Sequence, residues 1–408
     1  MVLTELEREM LAGEYGKATR KAMEILAALG KIYGAEAMTP VTSVQIAGVS
    51  FDNLGEAGLE FLTEMADGGG KARVLTTLNP AGMDIENWQA LGISPEFACD
   101  QQRVLEAFRR MGIITTCTCT PYLAGNLPHY GEHIAWAESS AVCYANSVIG
   151  ARTNREGGPS ALASALTGRT PAYGMHLDKE RIPSITFVLD NFAQTQFEQN
   201  YPDKTFLFSA LGKLIGEKLE GLPGRRVPYI RGVGRASLEE LKSFCASLAT
   251  YGGVALFHME GITPESPLHQ PPEETIAIGP AELAKAVDSL NDAAGGEVDF
   301  VSLGCPHLSI SEIARIAELL EGKQVVKEFW ITTSRPVKLI ADQMGYTRAI
   351  ETSGARFAVD TCCVVAPIKG RFKVMATDSA KACYYAYAKN KFKTVFKPFD
   401  EVVLEAVK

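Results

Sequence analysis

The stretch Val298-Asp299-Phe300-Val301-Ser302-Leu303-Gly304-Cys305-Pro306-His307 restricts the fold more than any other. Its apolar run reads as a buried strand, and Gly304 breaks it. Ser309 and Glu312 then form an S-x-x-E capping box, and Ile313, Ile316, Leu319 and Leu320 follow at helical spacing. The same alternation runs through the chain. Strands are expected at 41–47, 73–78, 111–116, 185–189, 254–258, 325–332 and 357–359. Helices are expected at 18–29, 59–65, 101–110, 132–148, 206–219 and 237–248, with another starting at Pro280 and one opening at Asp378 or Ser379. Such alternation implies an α/β protein with largely parallel sheets and right-handed crossovers.

At 408 residues the chain is too long for one ordinary core. The polar, Gly-rich stretch Gly150-Ala151-Arg152-Thr153-Asn154-Arg155-Glu156-Gly157-Gly158-Pro159 reads as a functional loop or a crossover between domains. The expected division is an N-terminal α/β domain over 1–155, a middle α/β domain over 156–290 and a C-terminal α/β domain over 291–408. A net charge of −8 gives no electrostatic reason to bind nucleic acid or anionic lipid. Apolar runs are of strand length, so no membrane span is expected, and the N-terminus lacks the pattern of a secretory signal. The expected compartment is cytoplasmic, where thiols stay reduced. Nine scattered cysteines, an odd number, argue against a disulfide framework and leave ligation, catalysis or burial.

Three expected strands each deliver cysteine to a loop: Cys117 and Cys119 after 111–116, Cys305 after 298–303, and Cys362 and Cys363 after 357–359. Ligands bind at the carboxyl ends of strands in open α/β sheets. The C-x-C at 117 and 119 has no second pair nearby, so no zinc-ribbon spacing is present. Thiolates gathered by the fold could hold an iron–sulfur cluster. Three of them on four irons would leave one iron open as a Lewis acid. The residues alone do not choose between Cys117 and Cys119, or between Cys362 and Cys363.

Several stretches together resemble the aconitase X family over essentially the whole chain. They are Leu11-Ala12-Gly13-Glu14, Cys119-Thr120-Pro121-Tyr122, Gly131-Glu132-His133, Glu138-Ser139-Ser140-Ala141, the Gly150 to Gly158 loop, Gly304-Cys305-Pro306-His307 and Asp360-Thr361-Cys362. The resemblance implies aconitase-like architecture, several three-layer α/β/α units around a central cleft. It implies a hydro-lyase with an iron–sulfur cluster, most simply 4Fe-4S with one open iron, on Cys119, Cys305 and Cys362. It also implies a small swivelling domain that completes the site. The chain has no room for it, so a separate small subunit is expected, and with it the general base. The archaeal branch implies dehydration of (R)-5-phosphomevalonate to trans-anhydromevalonate 5-phosphate in a mevalonate route to isoprenoids. The bacterial branch implies cis-3-hydroxy-L-proline as the alternative substrate.

A phosphorylated hydroxy acid needs donors. Gly48-Val49-Ser50 lies between a strand and a helix and could cradle an anion with backbone N–H groups. Asn79-Pro80 occupies the equivalent turn of the next strand. Asn146 and Ser147 could add amide and hydroxyl donors, and Lys381, Arg152 and Arg155 could add positive charge. Each also has a plain reading, as a turn former or a solvated side chain. His129-Tyr130-Gly131-Glu132-His133 matches H-x-x-E-H, the pattern of a zinc hydrolase on His129, Glu132 and His133, and a non-catalytic scaffold subunit is a further alternative. His133 or His307 could instead orient cluster ligands.

Overall fold

The expected crossovers close on parallel sheets in the computed structural model, which describes residues 1–190, 204–293 and 295–407. The first sheet has three strands, ordered Leu75–Leu78, Ser43–Ile46, Ala135–Trp136. The middle sheet has four, ordered His258–Met259, Pro228–Arg231, Ile185–Leu189, Thr275–Ile278. The last has five, ordered Arg356–Val359, Glu328–Thr333, Phe300–Leu303, Val374–Thr377, Lys393–Phe396. Every pairing inside these sheets is parallel. A short antiparallel pair, Met38–Pro40 with Arg169–Pro171, lies beside the first.

The winding of the last sheet places its binding crevice. The chain enters at the central strand Phe300–Leu303, adds two strands to one side, then crosses to Val374–Thr377 on the other. A crevice opens beyond the carboxyl ends of two neighbouring strands whose connections leave in opposite directions. Here those ends continue into Gly304-Cys305 and into Asp378-Ser379-Ala380-Lys381. The first sheet repeats the device, because its central strand Ser43–Ile46 is also its first in sequence.

Each sheet carries its own apolar cluster, centred on residues such as Val44 and Leu105, Phe187 and Phe244, and Val301 and Ile313. A further cluster joins the first and last parts. Met83, Leu91 and Ile93 pack with Phe300, Trp330, Met375 and Phe392. Arg335 spans the same junction, pairing with Asp84 at 3.0 Å and with Asp360.

Three local expectations need correction. The strand expected over 254–258 is only His258–Met259, because the helix before it runs on to Gly252. The helix expected over 132–148 is shorter, because residues 135–136 form a strand and Glu138 caps the helix Ser139–Tyr144 through the N–H groups of Ser140 and Ala141. That cap fixes where the helix can begin. Residues 111–116 form no ladder. They lie along Leu75–Leu78 through Ile114 N–H to Thr76 O and Leu78 N–H to Thr116 O, with one isolated bridge at Cys117.

Gly304 shows why the strand breaks where it does. Its φ is +104°, and a Cβ there would collide with the carbonyl oxygen and hydroxyl of Thr332 on the adjacent strand. Gly304→Ala is therefore expected to cost about 1–3 kcal/mol of stability, plus any displacement of Cys305. Urea unfolding measures it, and an unchanged midpoint would contradict the argument.

Candidate active site

The loops after the first and last sheets face one another across a cavity of about 610 Å³. Cys119, Cys305 and Cys362 line it and are 7%, 9% and 6% exposed. Cys117 and Cys363 are 0% and 2% exposed and do not line it, so the turn geometry separates each neighbouring pair. All nine cysteines are free thiols. Burial raises the pKa of Cys119, Cys305 and Cys362. Donors oppose it at each sulfur: the His307 N–H at Cys119 (3.2 Å), the Ser379 hydroxyl at Cys305, and the Val364 and Val365 N–H groups at Cys362.

His307 joins the loops. Its Nε2 lies 2.9 Å from the Thr361 carbonyl, which can only accept, so Nε2 carries the proton. Nδ1 is then free to accept from the Thr118 hydroxyl at 3.0 Å. The Cys119 and Cys362 loops are thus both tied to the residue two past Cys305. Lys242, from the helix Leu238–Gly252 of the middle part, donates to the His307 carbonyl at 3.0 Å and pairs with Glu312. Burial holds the ring neutral, with its pKa lowered to about 4.

Glu138, from the first part, and Lys381, from the last, form a buried ion pair in the cavity wall, and Lys381 also donates to the Ser140 hydroxyl at 2.7 Å. Burial works against the charge on Lys381, but Glu138, with Cys305 and Cys119, outweighs it and raises the pKa. Lys389 is a second lining cation, 3.0 Å from Asp52. Asn79 and Pro80 line the cavity, and Asn79 Oδ1 is a buried acceptor without a partner among the described residues. Gly48, Val49 and Ser50 form the turn before the helix that carries the lining residue Asn53. The Ser50 hydroxyl donates to the carbonyl of Val365, also a lining residue.

Other proposed site residues lie elsewhere. Asn146 and Ser147 sit in a π-helical turn, Ala145–Ile149, which rotates them away from the cavity. Asn146 bonds Thr153, Ala255 and Arg181, and Ser147 accepts from the N–H of Phe257. Arg152 binds the His176 carbonyl and Asp178, and Arg155 the Gly253 carbonyl, so the Gly-rich loop fastens the first part to the middle one. The zinc-hydrolase donors do not converge. His129 is exposed, Glu132 caps the turn through the His129 N–H, and His133 faces His176 at 2.9 Å. Glu138, Ser139, Asn53 and Lys389 are lining residues that sequence reasoning passed over as functional groups. The Glu-Ser-Ser run at a helix start was the available signal for the first two.

Family models for the aconitase X first, second and third domains match residues 1–179, 183–288 and 298–408. The chain belongs to the aconitase X family. Aconitase X relatives include the phosphomevalonate dehydratase large subunit of Methanocaldococcus jannaschii, 44% identical with 99% of each chain covered. That of Thermococcus kodakarensis is 46% identical, covering 94% of this chain and 95% of the relative. The cis-3-hydroxy-L-proline dehydratase of Pseudomonas aeruginosa is 33% identical over 94% of this chain but only 66% of its own length. The crystal structure of Thermococcus kodakaraensis aconitase X (holo-form) superimposes with a TM-score of 0.89 at 42% identity, covering 100% of both chains. The aconitase-like α/β fold expected from the sequence is thereby met. Among the described residues no helix is long and apolar enough to cross a membrane.

The His307 geometry carries a pH prediction. Its folded pKa, about 4, lies below the ordinary value of 6.5. Between the two the unfolded chain binds a proton that the folded chain does not, so this contribution is complete above pH 6.5 and is lost as pH falls towards 4. The loss approaches about 3 kcal/mol. His307→Gln, which cannot titrate, should be less stable at pH 7.5 and show a shallower decline on acidification. Equal pH slopes in urea unfolding would rule this out.

Proposed function

We propose that this chain is the large subunit of a hydro-lyase that dehydrates (R)-5-phosphomevalonate to trans-anhydromevalonate 5-phosphate. Cys119, Cys305 and Cys362 would carry its iron–sulfur cluster. The observation that carries the reading is the convergence of these thiols on one cavity beside Lys381 and Lys389, in a chain that matches phosphomevalonate dehydratase large subunits nearly end to end. The donor set fits the group: soft sulfur ligands, each facing an N–H or O–H donor, the arrangement that tunes such clusters. Held by only three thiolates, such a cluster would supply Lewis acidity towards the leaving hydroxyl when bound.

The chain's own residues then divide the remaining work. Lys381 stays charged beside Glu138 and neutralises a substrate carboxylate at the crevice. Lys389 and Asn53 line the cavity and the Gly48-Val49-Ser50 turn precedes the helix that carries Asn53; together they would bind the phosphate. Asn79 Oδ1 accepts from a substrate hydroxyl and so fixes its orientation. Dehydration also requires a base for the proton α to the carboxylate. Among the described residues Glu138 is the one carboxylate lining the cavity, and Lys381 and two helix N–H groups already occupy it. Tyr385 is a phenol whose pKa burial raises further. In this reading the base belongs to a small partner subunit, as the family resemblance implies.

The deciding experiment is an anaerobic assay of the reconstituted chain with and without the small subunit, on 5-phosphomevalonate and on cis-3-hydroxy-L-proline. Activity on the phosphorylated substrate, only with both subunits, is expected. Activity on hydroxyproline alone would overturn the substrate assignment, and full activity of the isolated chain would place the base here. Lys389→Ala should raise KM for 5-phosphomevalonate roughly 10- to 100-fold, the loss of a charged hydrogen bond. A second prediction concerns iron. Cys305→Ser should lose most bound iron and sulfide, whereas Cys245→Ser, buried against Cys143 far from the ligand loops in sequence, should retain them. Equal iron content in the two variants would contradict the ligand assignment.

A further inference from the structure

A second donor cluster lies outside the cavity, at the edge of the middle sheet. His258 begins the edge strand His258–Met259 and is fully buried. Its Nε2 is 2.7 Å from the carbonyl oxygen of Arg181. A carbonyl only accepts, so Nε2 carries the proton and Nδ1 presents its lone pair. That Nδ1 is buried and has no hydrogen-bond partner among the described residues. Glu265 and His269 lie beside the ring, with one ligand atom from each of the three residues within 4.8 Å of the others. The His258 and His269 rings stand 4.6 Å apart. Burial lowers the pKa of both, so both are neutral at pH 7 and offer lone pairs rather than charge.

Glu265 keeps capacity for a further bond. Arg181 donates twice to its Oε1, at 3.2 and 2.9 Å, and once to Oε2, at 2.9 Å. A carboxylate oxygen accepts two, so Oε2 has a lone pair left. We propose that His258 Nδ1, Glu265 Oε2 and a ring nitrogen of His269 form a binding site for a borderline divalent cation, with zinc the natural occupant. Two imidazoles and one carboxylate oxygen suit zinc, whereas all-oxygen sets suit magnesium and calcium. The Arg181 carbonyl on Nε2–H is the outer partner that fixes the tautomer of a histidine ligand. His269 is partly exposed and provides the entry path, and water completes the tetrahedron.

The position gives such an ion a consequence. Arg181 also donates to Asn146 Oδ1 and O and to the Met175 carbonyl, so it fastens the middle part to the π-helical turn of the first. An ion on Glu265 and His258 stiffens that junction without touching the cysteine cavity, because none of its ligands lines the cavity.

The test uses the full-length chain, stripped of metal anaerobically and titrated with Co²⁺ and then Zn²⁺. A nitrogen–oxygen site gives weak visible cobalt bands without the intense near-ultraviolet sulfur-to-cobalt charge transfer of a thiolate site. The expected result is such bands at one equivalent, bleached by Zn²⁺ and retained in Cys305→Ser. His269→Ala removes only a partly exposed ring and should fold normally by circular dichroism. Its affinity should fall at least about tenfold, since even loss of an outer partner costs that much. A cobalt spectrum with thiolate charge transfer alone, or equal affinity in His269→Ala and the parent chain, or no binding at millimolar metal, would each overturn the proposal.

Discussion

His307 holds the cysteine loops together through both ring nitrogens, and in the neutral ring one donates to Thr361 while the other accepts from Thr118. A protonated ring would aim a second N–H at a hydroxyl that must then reverse its role. Its backbone adds two further ties, an N–H to Cys119 Sγ and a carbonyl held by Lys242 from the middle part. The first, middle and last parts of the chain therefore meet at one residue. Burial makes this stringent: each bond lost there leaves a partner with no water to replace it.

The cavity exists because two sheets are built on the same plan. In each, the first strand in sequence is central and neighbouring connections leave in opposite directions. The carboxyl ends must then open onto a crevice, and two such crevices facing each other enclose a site. The helices on its walls share a form as well. Ser139–Tyr144 follows Glu138 and begins with a serine, Ala380–Tyr385 follows Asp378 and Ser379, and each ends in a π-helical turn. The middle sheet starts from its own first strand in the same way, yet among the described residues none of the middle part lines the cavity; Lys242 reaches His307, and Ser209 and Tyr251 hold the backbone of Ala380.

Much of this was legible in the sequence because it depends on local chemistry. Gly304 and the Ser309–Glu312 box mark a strand end and a helix start, and both stand in the structure. The choice of Cys119 over Cys117 was not legible from the residues alone, since it depends on which side of a turn faces the opposite sheet. Family resemblance supplied that choice. Asn146 and Ser147 misled for a related reason, because a π-turn changes the angular step and swings them towards Arg181. Lys389, in the run Lys389-Asn390-Lys391, resembles solvated charge, and only the fold of that turn brings it to the cavity. The 111–116 segment has strand composition but bonds only intermittently to its neighbour.

The cluster that packs Met83, Leu91 and Ile93 against Phe300, Trp330 and Phe392 bears on how the site can open. The two walls of the cavity share that core, and they are further joined by Glu138 with Lys381 and by Arg335 with Asp84 and Asp360. Hinging them apart would expose aromatic surface and separate buried charges at once. The cavity is in this sense a rigid vessel. Among the lining residues Tyr384 is well exposed, so the cavity reaches the surface beside it. A gating motion, if the catalytic cycle uses one, cannot come from these two walls moving apart, because they move as one body.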